Sequence, residues 1–196
     1  MKKELFLDTE TTGLNEDAAI VQIAGIIVID NIVKEEFNIK LKPHPGATIS
    51  EEALKVTGLT REEINSYENS YIGMLKFESV LSKYIDKYDK NDKYTLIGQN
   101  TKFDFEKLIQ FYERKQNPYL GSFINFKTYL DTLYIVKTLQ FIDRLPYLEN
   151  NKLSTWCEYF NIELGDNAHD ALADIRATRE LFIKVIDLLE GDKKWL

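Results

Sequence analysis

Two acidic residues near the start of the chain have a spacing that could bind a cation. Asp8 and Glu10 follow a short apolar run at residues 5–7 that is typical of a strand. Because strand side chains alternate, residues two apart share a face, so both carboxylates point the same way. Neighbouring carboxylates repel each other, and a hard divalent cation such as Mg²⁺, which prefers oxygen ligands, removes that cost. The alternative is an ordinary pair of surface acids at a strand end.

The residues that follow this pair favour a ligand site over a surface pair. Thr11, Thr12, Gly13 and Leu14 come directly after Glu10. The glycine allows a tight turn, and threonine hydroxyls can hydrogen-bond to a hydroxyl of a ligand.

Three residues far along the chain could join the same site. Asp104 lies at the start of a predicted helix, where Thr101 to Asp104 fits a capping box, so a structural role at the helix N-terminus is the alternative. His169 and Asp174 lie near the start of the last helix, where a surface histidine beside a cap is the alternative. Together the four carboxylates could bind two Mg²⁺ ions about 3.5–4 Å apart, and the histidine could take a proton from an attacking water.

Hydrophobic patterning predicts the elements that must position these residues. Strands are predicted at residues 5–8, 19–29, 37–41 and 94–98, with a turn at Asp30 and Asn31. Helices are predicted at residues 71–84, from 102 onwards, at 130–139 and 153–160, and in a last helix with the apolar stripe Leu172, Ile175, Phe182, Ile186 and Leu189. Strands first, then alternating strands and helices, indicate an α/β sandwich with a mixed central sheet.

Length and composition exclude several classes of protein. A chain of 196 residues with 44% hydrophobic residues can bury a full core, and we expect a single domain over residues 1–196. The single cysteine excludes an internal disulfide and indicates a cytoplasmic protein, and no apolar run reaches the length of a membrane span. The net charge of −7 disfavours a protein that coats nucleic acid. His44, between two prolines, is predicted to be a solvated loop residue.

Three segments resemble the motifs of a known family. The first is Asp8-Thr9-Glu10-Thr11-Thr12-Gly13-Leu14, the second is Gly98-Gln99-Asn100-Thr101-Lys102-Phe103-Asp104, and the third is His169-Asp170-Ala171-Leu172-Ala173-Asp174. In this order and spacing they resemble the DnaQ-like 3′–5′ exonucleases of the DEDDh subgroup. The resemblance covers residues 4–189, nearly the whole chain.

The resemblance implies a fold and a set of roles. The fold is ribonuclease-H-like, with a mixed five-stranded sheet flanked by helices. Two divalent cations, Mg²⁺ or Mn²⁺, are implied as cofactors. Asp8, Glu10 and Asp174 would hold one, and Asp8 and Asp104 would hold the other. His169 would be the general base, and Thr11, Thr12, Leu14 and Asn100 would contact the substrate. The implied activity is hydrolysis from a 3′ end with release of 5′-mononucleotides, from single-stranded or frayed DNA rather than RNA.

Departures from the family pattern leave alternatives open. Gln99 and Thr57 stand where relatives often have histidine, and Thr101 stands where alanine is common, which leaves the substrate preference in doubt. The alternatives are a 3′–5′ exoribonuclease, a proofreading subunit with a polymerase partner, and a binding module without activity. The binding module is disfavoured because all four acids and the histidine are present. The absence of a Gln-x-x-Leu-Phe type of tail favours a stand-alone enzyme over a proofreading subunit.

Overall fold

The fold is built on five strands that form one mixed sheet. A computed structural model describes residues 1–165 and 170–191. The strands are β1 (Lys3–Thr11), β2 (Ile20–Ile29), β3 (Ile32–Lys40), β4 (Tyr94–Gly98) and β5 (Ile124–Asp131). Their order across the sheet is β3-β2-β1-β4-β5, with β1, β2 and β3 antiparallel and β4 and β5 parallel to β1. The predicted mixed five-stranded sheet is therefore confirmed, and β1 is its central strand.

Seven α-helices of the described chain connect and cover the strands. They are α1 (Glu51–Thr57), α2 (Arg61–Ser66), α3 (Ser70–Leu81), α4 (Thr101–Arg114), α5 (Thr132–Phe141), α6 (Leu153–Phe160) and α7 (Ala171–Glu190), and a short 3₁₀ turn spans Tyr119–Ser122. Within residues 1–165 and 170–191, no helix combines the length and the apolar composition that a membrane span requires.

The two faces of the sheet are covered by different helices. Alternate β1 residues Leu5 and Leu7 pack with residues of α3 and α4 in the largest apolar cluster. Phe6, on the other face, packs against α7 through Ile175 and Phe182. Helices α5 and α6 pack on α7 in a third cluster around Trp156, Leu139 and Leu181. Helix α4 is therefore fixed on one face of β1 and helix α7 on the other.

The fifth strand was absent from the hydrophobic pattern. A helix was predicted at residues 130–139, but Leu130 and Asp131 end strand β5 and the helix begins at Thr132. The physical reason is that β5 is an edge strand that pairs only with β4, and its middle residues Phe126, Lys127 and Thr128 are exposed. An exposed edge strand lacks the apolar run that reveals a buried strand.

Gly25 of β2 offers a test of the packing on the α3 and α4 face. A Cβ atom there would lie 2.5 Å from the Phe37 ring and 2.8 Å from the carbonyl oxygen of Phe6. We expect Gly25→Ala to lower the free energy of unfolding by about 1–3 kcal/mol, because overpacking forces the ring and the backbone apart. The matched control is Gly121→Ala, whose nearest neighbour would be 3.7 Å away. Equal midpoints of thermal unfolding for the two variants would contradict this packing.

Candidate active site

Three of the predicted acids meet at the end of the central strand. Asp8 and Glu10 lie on the β1 face that carries Phe6, and Phe6 is buried against α7. Asp174 precedes the fully buried Ile175 on α7, so the core contact of Ile175 brings Asp174 to the same place. Carboxylate oxygens of Asp8, Glu10 and Asp174 lie within 4.8 Å of one another. The fold thus brings together residues that are more than 160 positions apart in the chain.

Asp104 reaches the cluster from the opposite face of the sheet. Its Oδ1 accepts hydrogen bonds from the Thr9 amide at 3.0 Å and the Thr9 hydroxyl at 2.6 Å. Thr9 lies between Asp8 and Glu10, so these two bonds fix α4 against the part of β1 that carries the acids. Asp104 also interacts electrostatically with Asp8, because its charge raises the pKa of Asp8 more than any other charge does.

The capping box that was the alternative role for Asp104 does not form at the start of α4. The N-cap residue is Asn100, in the left-handed region with φ 60°, and its side chain makes no cap bond. The Thr101 hydroxyl instead donates to the carbonyl oxygen of Leu130 at 2.8 Å. The carboxylate of Asp104 accepts its hydrogen bonds from Thr9. Asp104 therefore lies in the first turn of α4 without capping the helix.

Burial and nearby negative charges raise the pKa of Asp8, Glu10 and Asp104. Burial, and then the charges of Asp104, Glu10 and Asp174, hold the pKa of Asp8 well above its usual range. Burial and the charges of Asp174 and Asp104 raise the pKa of Glu10 to about 8. Burial raises the pKa of Asp104 to about 7 against the lowering effect of its bonds to Thr9. This negative, half-buried set of oxygen donors fits a hard divalent cation.

The start of α7 is anchored next to Glu10. Asp170 caps the helix, since its Oδ1 accepts from the Leu172 amide at 3.3 Å. The same oxygen accepts from Nε2 of Gln22 at 2.8 Å, and Gln22 is the strand partner of Glu10. The predicted general base, His169, lies outside the described residues.

The predicted substrate residues have different environments. Leu14 is 85% exposed on the turn after β1, and Asn100 is exposed on the other side of the cluster. Thr12 is fully buried, and its hydroxyl donates to the Thr48 carbonyl and accepts from the Ala19 amide. The expected contact between the Thr12 side chain and a ligand is therefore wrong. The Thr11 hydroxyl is likewise bonded to the Gly13 carbonyl, at 2.9 Å.

A groove lies on each side of the acids. One contains Glu10, Leu14, Val56, Thr57 and Phe103 among its lining residues. The other contains Asp174, Gln99, Asn100, Leu133 and Lys137. Thr57 and Gln99, at which the sequence departs from the family pattern, therefore line the two grooves.

Asp131 is a positioning residue that sequence analysis left out of the site. It is 5% exposed, and its Oδ1 accepts from the Asn100 amide at 2.9 Å and the Leu133 amide at 3.0 Å. The bond to Leu133 caps the N-terminus of α5. The bond to Asn100, which supports the left-handed conformation of that residue, required knowledge that β4 and β5 are neighbours.

A central strand with an acidic cluster at its end, in a mixed sheet covered by helices, defines a ribonuclease-H-like fold with a nuclease site. The family model described as exonuclease, RNase T, matches residues 5–182. The chain therefore belongs to this exonuclease family, and the resemblance to DnaQ-like proteins is confirmed.

Similar proteins include components of bacterial DNA polymerases. The chain is 27% identical over 188 residues to the PolC-type DNA polymerase III of Oceanobacillus iheyensis, covering 93% of this chain and 11% of that protein. It is 26% identical over 184 residues to the DNA polymerase III subunit epsilon of Aquifex aeolicus, covering 93% of this chain and 80% of the relative.

Among solved structures the likeness is one of fold. Exonuclease I of E. coli in complex with a dT13 oligonucleotide has a TM-score of 0.77 at 22% identity, covering 95% of this chain and 41% of that chain. Cell-death related nuclease 4 has a TM-score of 0.73 at 17% identity, covering 96% and 64%.

The raised pKa values predict how the stability of the metal-free protein depends on pH. A carboxyl with a raised pKa stays protonated in the folded state while it ionises in the unfolded state, so folding loses free energy as the pH rises from about 4.5 to about 8. In chelator we expect the unfolding midpoint to fall over this range, and Mg²⁺ to restore it at the upper end. The check is thermal unfolding followed by circular dichroism across the range.

The same repulsion predicts that removal of one acid stabilises the metal-free protein. We expect Asp8→Asn to raise the unfolding midpoint in chelator at about pH 8 by several degrees, at about 2–4 °C per kcal/mol for a chain of this size. Mg²⁺ should then stabilise the variant far less than the parent. The control is Glu158→Gln, which removes an exposed carboxylate from α6. A midpoint in chelator that is lower for Asp8→Asn than for the parent would contradict the repulsion.

Proposed function

We propose that this exonuclease domain, taken as residues 1–196, removes nucleotides one at a time from the 3′ end of single-stranded or frayed DNA. The products are 5′-mononucleotides. The observation that carries the proposal is the convergence of Asp8, Glu10 and Asp174, with oxygens within 4.8 Å, and of Asp104 beside them. The family model and the similarity to polymerase III epsilon subunits support the same activity.

The four acids are proposed to hold two divalent cations, Mg²⁺ or Mn²⁺. Asp8, Glu10 and Asp174 would bind one, and Asp8 with Asp104 the other, Asp104 partly through water. Bound cations would supply neutralisation of the charge on the scissile phosphate and a more acidic attacking water. The raised pKa values of these carboxyls indicate that the site is electrostatically incomplete with its own residues alone.

The remaining residues are proposed to position the strand. Leu14, exposed beside Glu10, would pack on the terminal bases, and Thr11 lines the same groove. Asn100 would lie along the strand on the Asp174 side. Thr12 supports this site from within the core by holding the turn that carries Leu14. His169 is proposed as the general base that takes the proton of the attacking water.

DNA is proposed as the substrate in preference to RNA. The supporting finding is that the similar exonuclease I structure contains a dT13 oligonucleotide and that the sequence relatives are DNA polymerase components. Those relatives also support a second candidate, a proofreading role with a polymerase partner. A purified polymerase from the same source that increases the rate of removal of mismatched 3′ nucleotides would favour this role.

Cleavage assays with end-labelled oligonucleotides test the activity. We expect 5′-labelled single-stranded DNA to shorten as a ladder in Mg²⁺ or Mn²⁺ and to stay intact in chelator. Blunt duplex DNA and matched RNA should be cut more slowly, and a 3′-phosphate should slow the reaction. Asp174→Asn should lower the rate by orders of magnitude, while Asp187→Asn, an exposed aspartate on the same helix, should not. Rapid cutting of a circular single strand would contradict an exonuclease.

Replacement of His169 tests the proposed base. His169→Ala should lower the single-turnover rate about 10²–10⁴-fold, the usual loss for a general base. The parent rate should rise with pH as the imidazole loses its proton, and the variant should lack this dependence. The increase in unfolding midpoint on addition of Mg²⁺ should be the same in both proteins, because the four acids are intact. Matching rates and pH profiles would exclude His169 as the base.

A further inference from the structure

A second cleft has a charge opposite to that of the acidic cluster. In a protein of net charge −7, one narrow cleft along α4 is lined by five basic side chains, namely Lys42, His44, Lys107, Arg114 and Lys115. Its floor is formed by the start of β2 and by Phe111. The five basic residues come from two separate parts of the chain, so the fold and not a sequence run creates the positive charge.

Two of the lysines are partly withdrawn from water. Lys107 is 4% exposed, and burial, then the charge of Arg114, lowers its pKa. Burial also lowers the pKa of Lys115, whose Nζ lies 2.8 Å from Oγ of Ser70. A lowered lysine pKa means that the protein compensates the positive charge poorly. The acids around the cleft are Glu16 and Glu106, whose charges raise the pKa of Lys107, and Asp17, an exposed residue whose Oδ1 lies 3.3 Å from Arg114.

Two further side chains of the cleft each have a nitrogen atom that is unpaired within the described residues. Lys42 is exposed, and its Nζ forms no ion pair with any residue of the described chain. Nδ1 of His44 lies 3.1 Å from the Pro45 carbonyl oxygen. Nε2 of His44 is buried and has no hydrogen-bond partner within residues 1–165 and 170–191. His44 thus lies in a loop, as predicted, but it is half-buried and its Nε2 is shielded from water.

The cleft lies next to the groove that carries Leu14. Nζ of Lys107 donates a hydrogen bond to the carbonyl oxygen of Asn15, the residue after Leu14. The same Nζ lies 5.6 Å from the centre of the Phe103 ring. Phe103 lines the Leu14 groove, and Lys107 follows Asp104 by one helical turn. From Asp104 to Arg114 the helix rises about 15 Å at 1.5 Å per residue, so the far end of the cleft lies beyond a dinucleotide at the acids.

We propose that this basic cleft binds a phosphate group of the nucleic acid strand, at a distance from the 3′ end that is being hydrolysed. The proposal deepens the proposed exonuclease function and rests on it. Lysine and arginine are suited to a phosphodiester, because each donates a charge-assisted hydrogen bond. A strand held in this way stays attached after each terminal nucleotide leaves, although the protein has a net charge of −7. Inorganic phosphate or a free nucleotide has the same chemistry, and the experiment separates these sources.

The test compares a long substrate with a short one. The variants are Lys42→Gln, whose side chain is exposed, and Lys115→Gln, and the control is Lys34→Gln on β3, near the hairpin at the other end of the sheet. Affinity for a long oligothymidylate is measured by fluorescence anisotropy in chelator, over a series of salt concentrations. Hydrolysis of a thymidine dinucleotide is measured in Mg²⁺. Thermal unfolding confirms that each variant is folded.

We expect each cleft variant to bind the long strand several-fold more weakly. The slope of log affinity against log salt concentration should lose about 0.7 for each lost phosphate contact to a single strand. Dinucleotide hydrolysis should stay near the parent rate, and the Lys34→Gln control should match the parent in all assays. Long-strand binding can be measured even if hydrolysis fails, so the failure of this proposal and the failure of the exonuclease proposal are distinguishable.

Two results would overturn the proposal. Unchanged affinity and salt slope in both cleft variants would show that Lys42 and Lys115 do not contact the strand. The second result has two parts: inorganic phosphate stabilises the parent but not the variants against unfolding, and binding of the long strand is unchanged. It would assign the cleft to a free phosphate.

Discussion

Repulsion among the carboxylates of Asp8, Glu10, Asp104 and Asp174 is the constraint on which the design of the site depends. Each of these groups is partly or fully withdrawn from water, and charge on one disfavours charge on the next. Such a set separates unless the surrounding structure prevents it. The opposing forces are the burial of Phe6 and Ile175, adjacent to acids on β1 and α7, and the two hydrogen bonds from Thr9. Core packing therefore stabilises an arrangement that electrostatics alone disfavours.

The support is divided between the two faces of the sheet. Helix α7 brings Asp174 to the Phe6 face, and its start is anchored by Gln22, the strand partner of Glu10. Helix α4 brings Asp104 to the other face. Asp131 accepts a hydrogen bond from the amide of Asn100, the residue directly before α4. Because each helix is fixed by contacts outside the acids, the distance between the carboxylates is set before a cation binds. This arrangement is the preorganisation that a metal-dependent active site requires.

The sequence predicted the acids better than it predicted their supports. Asp8 and Glu10 could be paired from strand alternation, and the apolar stripe of α7 placed Asp174 at the edge of the core. Strand β5 was not predicted because its middle residues are exposed. Without β5, the hydrogen bond between the Asn100 amide and Asp131 could not be inferred. The hydroxyls of Thr12 and Thr101 were misassigned for a related reason. Their acceptors, Thr48 and Leu130, come from distant parts of the chain and meet them only in the folded protein.

The pairing of β1 with β2 shifts register between Glu10 and Thr11, so the regular ladder ends directly after the second acid. This position divides the segment into two parts with different tolerance of changes in length. One residue inserted between Phe6 and Glu10 would turn the following side chains to the opposite face and place them against α4 instead of α7. One residue inserted at the exposed positions 14–17 would leave the ladder in place and alter the turn beyond it, together with its contacts to Lys107 and Arg114. Within residues 6–17, insertions and deletions that leave the acids in place are therefore confined to the far side of this register shift.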